Sequence, residues 1–461
     1  MKIKERILWM VTVLLLLFIV IFHPLEKVKA ISLEAEKYLQ IFHEVVSYIE
    51  TDYVERMDEE SLYQGAIKGL ISSLNDPHSR FMTQDEFKEL QDETRGSFGG
   101  IGIEVTYQDK SIIVISPIDD TPAMRAGILP QDRIIEINGI NTKKMSIAEA
   151  VKVMRGPVGS TISIKIKRKD FIDPILLTLV RELIKINYIK SSYMEKEKIG
   201  YIRLSQFMGK ENTGREFEKI VKKFASYNPK GIIVDLRLNP GGLLDLAIDL
   251  SDLFLQKNLT IVSVKGRDGK LIKIYKATDS PKKVMDVPIV VLINAGSASA
   301  SEIFAGALQD NKRAIILGTQ SFGKGSVQNI YPLPHNTGMA LTIQKYYTPS
   351  GVSIHKKGIT PNVVVYPITP SDIDKVYLEK IYREKILSNF VEKFPGYNAK
   401  NKRLFKELLT NKGYNIGTTI VNYILKKENN LGRAADIYDT EFDPQLEKAI
   451  ELILDNKAIP K

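Results

Sequence analysis

The 461-residue sequence contains no cysteine and only five histidines. Without thiols, the chain forms no disulfide bond, has no cysteine nucleophile and holds no thiolate zinc site. The absence of thiols does not fix the compartment, because a cysteine-free chain is compatible with any redox environment.

The sequence also lacks a dense basic run, although its net charge is +10. Lysine and arginine are spread along the chain, which favours a solvated basic surface and no nucleic-acid partner. There is no internal repeat and no low-complexity linker. A hydrophobic content of 44% and a charged content of 26% are typical of a folded protein, and the length allows two or three domains.

The N-terminus resembles a targeting segment. Basic residues among the first six precede an apolar run from Ile7 to Phe22, which Pro24 ends. A helix of that length spans about 24 Å, between a signal-peptide core and a full membrane span. We predict that residues 1–30 are a signal peptide or an N-terminal membrane anchor. The rest of the chain is then extracytoplasmic, either tethered to the cell membrane or secreted.

The pattern of apolar and polar residues changes three times after this segment. Residues 31–95 show helical spacing of apolar side chains, and residues 96–182 carry short β-branched runs typical of a compact α+β module. Residues 183–368 alternate apolar strands with helices, which predicts an α/β core built on a largely parallel sheet. Residues 369–461 are helical again, and their role, including whether they support a homodimer, is open.

Three loops follow strands of the predicted α/β core, where ligands bind in open sheets. They are residues 239–242, 296–302 and 318–325. The third nearly matches a phosphate-binding loop, but Gly325 replaces the required Ser or Thr and a strand follows in place of a helix. A nucleotide site is therefore disfavoured.

The second loop is rich in serine, and helix capping alone would explain it. Its neighbours suggest nucleophilic catalysis, since a hydroxyl, a lone lysine and glycine-rich backbone supply a nucleophile, a base and an oxyanion site. A Ser-His-Asp triad is disfavoured because no G-x-S-x-G elbow occurs. His43 and His78 are expected to lie far from the sheet domain, and His335 and His355 are in loops bounded by proline and glycine. A lysine base fits better.

Four stretches resemble the carboxyl-terminal processing proteases, a family of tail-specific Ser–Lys peptidases with a PDZ domain. They are LNDPHSRFM, FGGIGIEV, VDLRLNPGG and INAGSASASEIFAGALQDNKRAIILGTQSFGKGSVQ. The resemblance covers residues 35–367 and implies a crotonase-like α/β core with an inserted PDZ domain. It also implies a serine endopeptidase that acts on exported proteins with free C-termini and needs no metal or organic cofactor.

The same resemblance assigns the site residues. It implies that Ser299 is the nucleophile, Lys324 the general base and Gln328 the residue that orients the lysine. We expect oxyanion donors from the backbone of Gly241 or Gly242 and of Ala300. Ser297 and Ser301 are expected to be supports, and Asp235 and Arg237 a structural ion pair.

The glycine-rich turn formed by Gly99, Gly100, Ile101 and Gly102 leads into a strand. Successive backbone amides in such a turn can hold a carboxylate, and the strand can pair with an added peptide. Without the resemblance, an ordinary hairpin would be favoured; with it, we predict a site for the substrate C-terminus.

Two alternatives from other functional classes remain open. One is a catalytically inactive PDZ scaffold, against which the intact residues Ser299, Lys324 and Gln328 argue. The other is an acyl-transfer enzyme on a crotonase-like core, against which the export leader argues.

Overall fold

The computed structural model describes residues 32–458 except 109–110, 119–120, 130, 169–170, 172, 281–282, 285–286 and 431–435. The predicted signal peptide or anchor therefore lies outside the described residues. Within the described ranges, no helix has both the length and the apolar character that crossing a bilayer requires. The chain divides into two compact units, Met1–Leu70 and Ile71–Lys461.

The helices described for this chain are numbered in chain order. They are α1 (Leu33–Asp52), α2 (Glu59–Ser72), α3 (Gln84–Arg95), α4 (Pro122–Arg125), α5 (Ile147–Met154), α6 (Lys210–Ser226), α7 (Leu244–Asp252), α8 (Ala300–Asp310), α9 (Asp372–Arg383), α10 (Ile386–Lys393), α11 (Ala399–Asn411), α12 (Thr418–Asn429) and α13 (Pro444–Leu454).

The strands are numbered in the same way. They are β1 (Arg80–Met82), β2 (Ser97–Gly100), β3 (Ile103–Gln108), β4 (Ser111–Pro117), β5 (Arg133–Ile137), β6 (Ile140–Asn141), β7 (Thr161–Lys167), β8 (Ile175–Val180), β9 (Glu182–Lys185), β10 (Ile189–Met194), β11 (Ile199–Leu204), β12 (Gly231–Asp235), β13 (Thr260–Lys265), β14 (Leu271–Lys276), β15 (Ile289–Ile293), β16 (Ile315–Gly318), β17 (Ser326–Pro332), β18 (Gly338–Tyr347) and β19 (Val363–Val364).

The first unit contains α1 and most of α2. Ser32 caps α1, with its hydroxyl oxygen accepting a hydrogen bond from the Ala35 amide at 3.2 Å. Many large apolar side chains of α1 are exposed, among them Leu39 and Phe42, while Val46 is buried.

The centre of the second unit is a six-stranded sheet with the order β10-β11-β12-β15-β16-β19. Strands β11, β12, β15, β16 and β19 pair in parallel, and β10 joins the edge of the sheet antiparallel to β11. Strands β12 and β15 are buried along their whole length, which explains their continuous apolar sequences.

Alternate residues of these strands point to opposite faces, and each face has its own helical cover. On one face Ile232 and Val234 pack in a core with side chains of α6, α7 and α8. On the other face Ile233 packs with Leu446 and Ile453 of α13. The sheet is therefore the middle layer of a three-layer arrangement.

The remaining sheets are antiparallel throughout. One contains β1, β13, β14, β17 and β18, another contains β3 to β8, and β2 pairs with β9. Most strand pairings in the described residues are thus antiparallel, and the predicted parallel pattern is confined to the central sheet. The second of these sheets has its own apolar core, in which Ile112, Ile134 and Ile164 are buried.

Candidate active site

The three loops expected at the carboxyl ends of strands lie together in the structure. Residues Ile293 and Gly318 are paired at the ends of β15 and β16, and β12 ends beside them. The amide of Ala298 donates to the Asn239 carbonyl at 3.0 Å, and the amide of Phe322 donates to the Ser297 carbonyl at 3.0 Å. These bonds join the second loop to the first and to the third.

The serines of the second loop have different surroundings. The hydroxyl of Ser297 donates to the Leu236 carbonyl at 2.8 Å, and that of Ser301 donates to the Asn239 carbonyl at 3.0 Å. Both residues are completely buried, whereas Ser299 is 8% exposed. Within the described part of the chain, the Ser299 hydroxyl donates to no other residue. Of these three serines, Ser299 is thus the one that is partly exposed and whose hydroxyl donates to no described residue.

Ser299 stands immediately before α8 with φ at 54° and ψ at −111°. A non-glycine residue in such a conformation typically stores about 1–3 kcal/mol, and strain of this kind concentrates at functional sites. In the first turn of α8 the amides of Ser301 and Glu302 donate to the carbonyls of Ala298 and Ser299, at 3.1 and 2.9 Å, and the Ala300 amide donates to no described residue.

Glu302 joins the second loop, which carries Ser299, to the third loop, which carries Lys324. One of its carboxylate oxygens accepts the amides of Ser299 at 2.8 Å and of Lys324 at 2.9 Å. The other accepts the Ser321 hydroxyl and the Gly323 amide, both at 2.6 Å. Glu302 was not among the site residues expected from the sequence. Its signal was present, however, because Ser299 and Glu302 have the spacing of a capping box.

Glu302 is 1% exposed. Burial raises the pKa of its carboxyl, and the bonds from Ser321 and the backbone amides oppose that effect. All four groups that face the Glu302 carboxylate donate hydrogen bonds to it. Both of its oxygens must therefore act as acceptors.

Lys324 is partly buried. Burial lowers the pKa of its ammonium, and the positive charge of Arg80 lowers it further, against the opposing charges of Asp76 and Glu302. A depressed pKa is what a general base of this type needs, because only the neutral amine accepts a proton.

The segment from Asp76 to Arg80 lies against this lysine. The Ser79 hydroxyl donates to Asp76 at 2.6 Å and accepts the Thr342 amide at 3.0 Å, so the segment is fixed to β18. Burial lowers the pKa of His78, and the charge of Lys324 lowers it further. The expectation that His78 is far from the sheet domain is therefore wrong. The pairing of β1 with β18 brings it there.

Gln328 lies on β17 near the lysine. Its amide nitrogen donates to the Ser326 hydroxyl at 2.8 Å and to the Thr342 hydroxyl at 3.1 Å. These two bonds fix the orientation of the amide. The carbonyl oxygen of the Gln328 side chain accepts no hydrogen bond from the described residues.

The glycine loop approaches Ser299 closely. A Cβ atom on Gly241 would lie 2.8 Å from the Cβ of Ser299, and the φ of Gly241 is 100°. The Gly241 amide already donates to the Asn239 side chain at 2.9 Å. The amides of Gly242 and Ala300 donate to no residue in the described ranges. Of the expected oxyanion donors, these two are thus available.

The glycine-rich turn of the α+β module divides into two parts. Gly99 and Gly100 belong to β2, which is paired with β9. Ile101 and Gly102 follow the strand, and their carbonyls accept the amides of Ala123 and Ile118, both at 2.9 Å. Their own amides donate to no residue that the structure describes.

The residues described here include no group of three or more histidine, aspartate or glutamate side chains arranged to hold a metal ion. The chemistry available at the site is that of a hydroxyl, an amine with a lowered pKa and free backbone donors.

Family models match three parts of the chain. Residues 198–365 match peptidase family S41, residues 113–168 match a PDZ domain, and residues 23–86 match the N-terminal domain of the activating protease CtpB. The first match contains all three loops of the site.

Curated relatives match over most of the chain. The carboxy-terminal-processing protease of Bartonella bacilliformis is 47% identical over 337 residues, which are 71% of this chain and 75% of the relative. The carboxy-terminal processing protease CtpA of Bacillus subtilis is 34% identical over 426 residues, 88% of each chain. A solved photosystem II D1 C-terminal processing protease is 29% identical, with a TM-score of 0.44 over 70% of this chain and 86% of that one.

The identity to these curated relatives and the extent of the matches confirm the resemblance seen in the sequence: this chain belongs to the carboxy-terminal processing proteases of peptidase family S41, which are serine-type peptidases, and it carries a PDZ domain.

Proposed function

We propose that this enzyme is an exported endopeptidase that processes or degrades proteins from their C-terminal region with a Ser299–Lys324 dyad. The observation that carries the proposal is the carboxylate of Glu302, one oxygen of which accepts the main-chain amides of both residues. The two loops are thereby fixed beside each other.

The chemistry follows from the groups at the site. The Ser299 hydroxyl attacks the scissile carbonyl carbon while the neutral amine of Lys324 takes the hydroxyl proton. The C–N bond then breaks, and the lysine returns the proton to the leaving amine. A water molecule, deprotonated by the same lysine, hydrolyses the acyl-enzyme and regenerates Ser299.

The negative oxygen of the tetrahedral intermediate needs donors that are already in place. The unpaired amides of Gly242 and Ala300 are suited to that role. In the same scheme the free side-chain oxygen of Gln328 accepts a hydrogen bond from Lys324 and orients it.

The domain limits proposed from the sequence give each part of the scheme a role. Residues 1–30 direct export or anchor the chain, 31–95 form an N-terminal region, and 96–182 form the PDZ domain that reads a free C-terminus. Residues 183–368 form the protease core, whose parallel strand pairs and helical cover support a crotonase-like arrangement. The amides of Ile101 and Gly102 are suited to bind the terminal carboxylate.

The serines of the second loop provide a matched test. Ser299→Ala should abolish cleavage of a peptide with a free C-terminus while the thermal melting temperature is retained. Ser301→Ala removes one buried hydrogen bond, and Ser297→Ala removes two, the second being the bond from the Asn294 amide. Each bond typically contributes about 1 kcal/mol, so both variants should keep measurable turnover. An active Ser299→Ala protein, or a folded but inactive Ser297→Ala protein, would contradict the assignment. An inactive wild-type protein would instead favour a PDZ scaffold.

A further inference from the structure

A helix outside the matched protease region forms part of the catalytic core. Helix α13 follows the S41 match by about eighty residues, yet Leu446, Ala449 and Ile453 are buried against the central sheet. The contact is close, since a Cβ on Gly231 of β12 would lie 2.8 Å from Ile453. The helix is therefore one layer of the core rather than an appendage.

Asp443, the residue that caps α13, binds an arginine of the core. Arg237 donates to both carboxylate oxygens of Asp443, at 2.8 and 2.6 Å, and to the Gln445 side chain at 3.0 Å. Its remaining donors contact Asp235 at 2.9 and 2.6 Å. Two carboxylates thus hold one guanidinium, an arrangement that fixes its plane.

The cluster is well shielded from solvent. Asp235 is fully buried and accepts the Tyr201 hydroxyl at 2.7 Å. Burial opposes charge on Arg237, but its bonds to Asp235 and Asp443 outweigh that effect and raise the pKa of Arg237. The arginine remains charged, and the expected structural ion pair with Asp235 is confirmed.

Arg237 also begins the glycine loop of the site. The next residue, Leu238, has a φ of 60° and is 68% exposed, so its own side chain does little to hold the turn. Asn239 follows, and it bonds the Gly241 amide and the loop of Ser299. The guanidinium is therefore an anchor at one end of the segment that ends in Gly242.

We propose that Asp443 is a positioning residue for the reaction: through Arg237 it fixes the loop that presents the Gly242 amide to the oxyanion. This inference rests on the proposed Ser–Lys mechanism. Without Asp443, Arg237 keeps Asp235 and the single bond to Gln445 but loses both of its bonds to a carboxylate at the start of α13. The loop then samples positions in which the Gly242 donor is misplaced. Because both carboxylate oxygens of Asp443 are engaged by Arg237, we expect it to make no direct contribution to substrate binding.

The test uses Asp443→Ser in the full-length enzyme. Serine retains the capping acceptor that Asp443 gives to the Leu446 amide, but it is uncharged and too short to bind Arg237 in two places. We expect kcat, measured well below the melting temperature, to fall about tenfold or more, with KM within about twofold of the wild-type value. The melting temperature should fall, because Arg237 loses one partner of a shielded ion pair. Asp455→Ser is the matched control, because Asp455 is exposed at the other end of the same helix and should leave kcat unchanged.

A double-mutant cycle shows whether the effect passes through the arginine. If it does, Arg237→Gln combined with Asp443→Ser should have the kcat of Arg237→Gln alone. A wild-type kcat in Asp443→Ser, a higher KM with an unchanged kcat, or a kcat loss that appears only near the melting temperature would overturn the inference. The inference would also be overturned if the kcat losses of Arg237→Gln and Asp443→Ser simply added in the double variant.

Ser299→Ala measured in parallel separates the two proposals. If Ser299→Ala is inactive and Asp443→Ser is fully active, only the positioning role fails. If Ser299→Ala is active, the proposed mechanism fails whatever Asp443→Ser does.

Discussion

Replacing Glu302 by glutamine tests whether one carboxylate holds the site together. The side chains have nearly the same shape, so the change leaves the packing of α8 intact. Glutamine has a single acceptor oxygen, however, and its amide nitrogen must then face two of the four donors. Whichever way the amide turns, it opposes either Ser299 and Lys324 or Ser321 and Gly323.

The expected loss follows from those two bonds. Hydrogen bonds to a charged group typically contribute about 1.5–3 kcal/mol each, so losing two corresponds to about 3–6 kcal/mol. Burial disfavours the ionised form of Glu302, and glutamine carries no charge. The free-energy cost of burying the carboxylate is therefore absent in the variant, which offsets part of the loss. We therefore expect a loss near the lower limit, about 3 kcal/mol.

The loss should appear in turnover as well as in stability, because either pair of bonds helps to hold a loop that carries Ser299 or Lys324. A difference of about 3 kcal/mol in the transition state lowers kcat by roughly a hundredfold. Turnover of a peptide substrate and thermal melting, measured on the same preparation, give both values. Glu216→Gln is the control, since Glu216 is exposed on α6. A Glu302→Gln enzyme with kcat within about threefold of wild type would refute the reasoning.

Two further predictions concern the base and the PDZ turn. Because burial and the charge of Arg80 lower the pKa of Lys324, kcat/KM should rise with pH through an apparent pKa below the ordinary lysine value of 10.5, and Arg80→Gln should move this rise to higher pH. Lys324→Arg should fold but be as inactive as Lys324→Ala, since arginine stays protonated; a retained tenth of the wild-type rate, about 1.4 kcal/mol, would exclude Lys324 as the base. If residues 99–102 hold a terminal carboxylate, a C-terminally amidated peptide should be cleaved more slowly than its free acid, with about 1.5–3 kcal/mol lost in kcat/KM, and equal rates would remove that role.

Much of the central sheet was readable from the sequence because its strands are buried on both faces. A strand such as Ile289–Ile293 is apolar at every position, and the loop after it must lie at the sheet edge. The pattern of apolar residues in the strands and the position of the loops after them therefore predicted where the site lies. They did not select among Ser297, Ser299 and Ser301. Only the resemblance to the family assigned the role of nucleophile to Ser299. The hydrogen bonds made by the hydroxyls of Ser297 and Ser301 support that assignment, because they leave those two serines engaged.

The parts that were missed depend on contacts between distant positions. The sequence around His78 does not indicate that it lies near Lys324, because their proximity depends on the pairing of β1 with β18, which are far apart in the sequence. The role of Asp443 was equally hidden, since its partner Arg237 lies in a different part of the chain. Glu302 is the exception: its spacing from Ser299 was visible, but a capping box alone does not indicate that the same carboxylate also binds a second loop.

The three-layer arrangement has a consequence for when the core becomes complete. Synthesis proceeds from the N-terminus, so β12, Ser299 and Lys324 leave the ribosome long before α13. Until Ile453 has emerged, one face of the central sheet lacks its cover and Arg237 lacks Asp443. The core is therefore complete, with both faces of the sheet covered and Arg237 bound on both sides, only after the distal helix has docked.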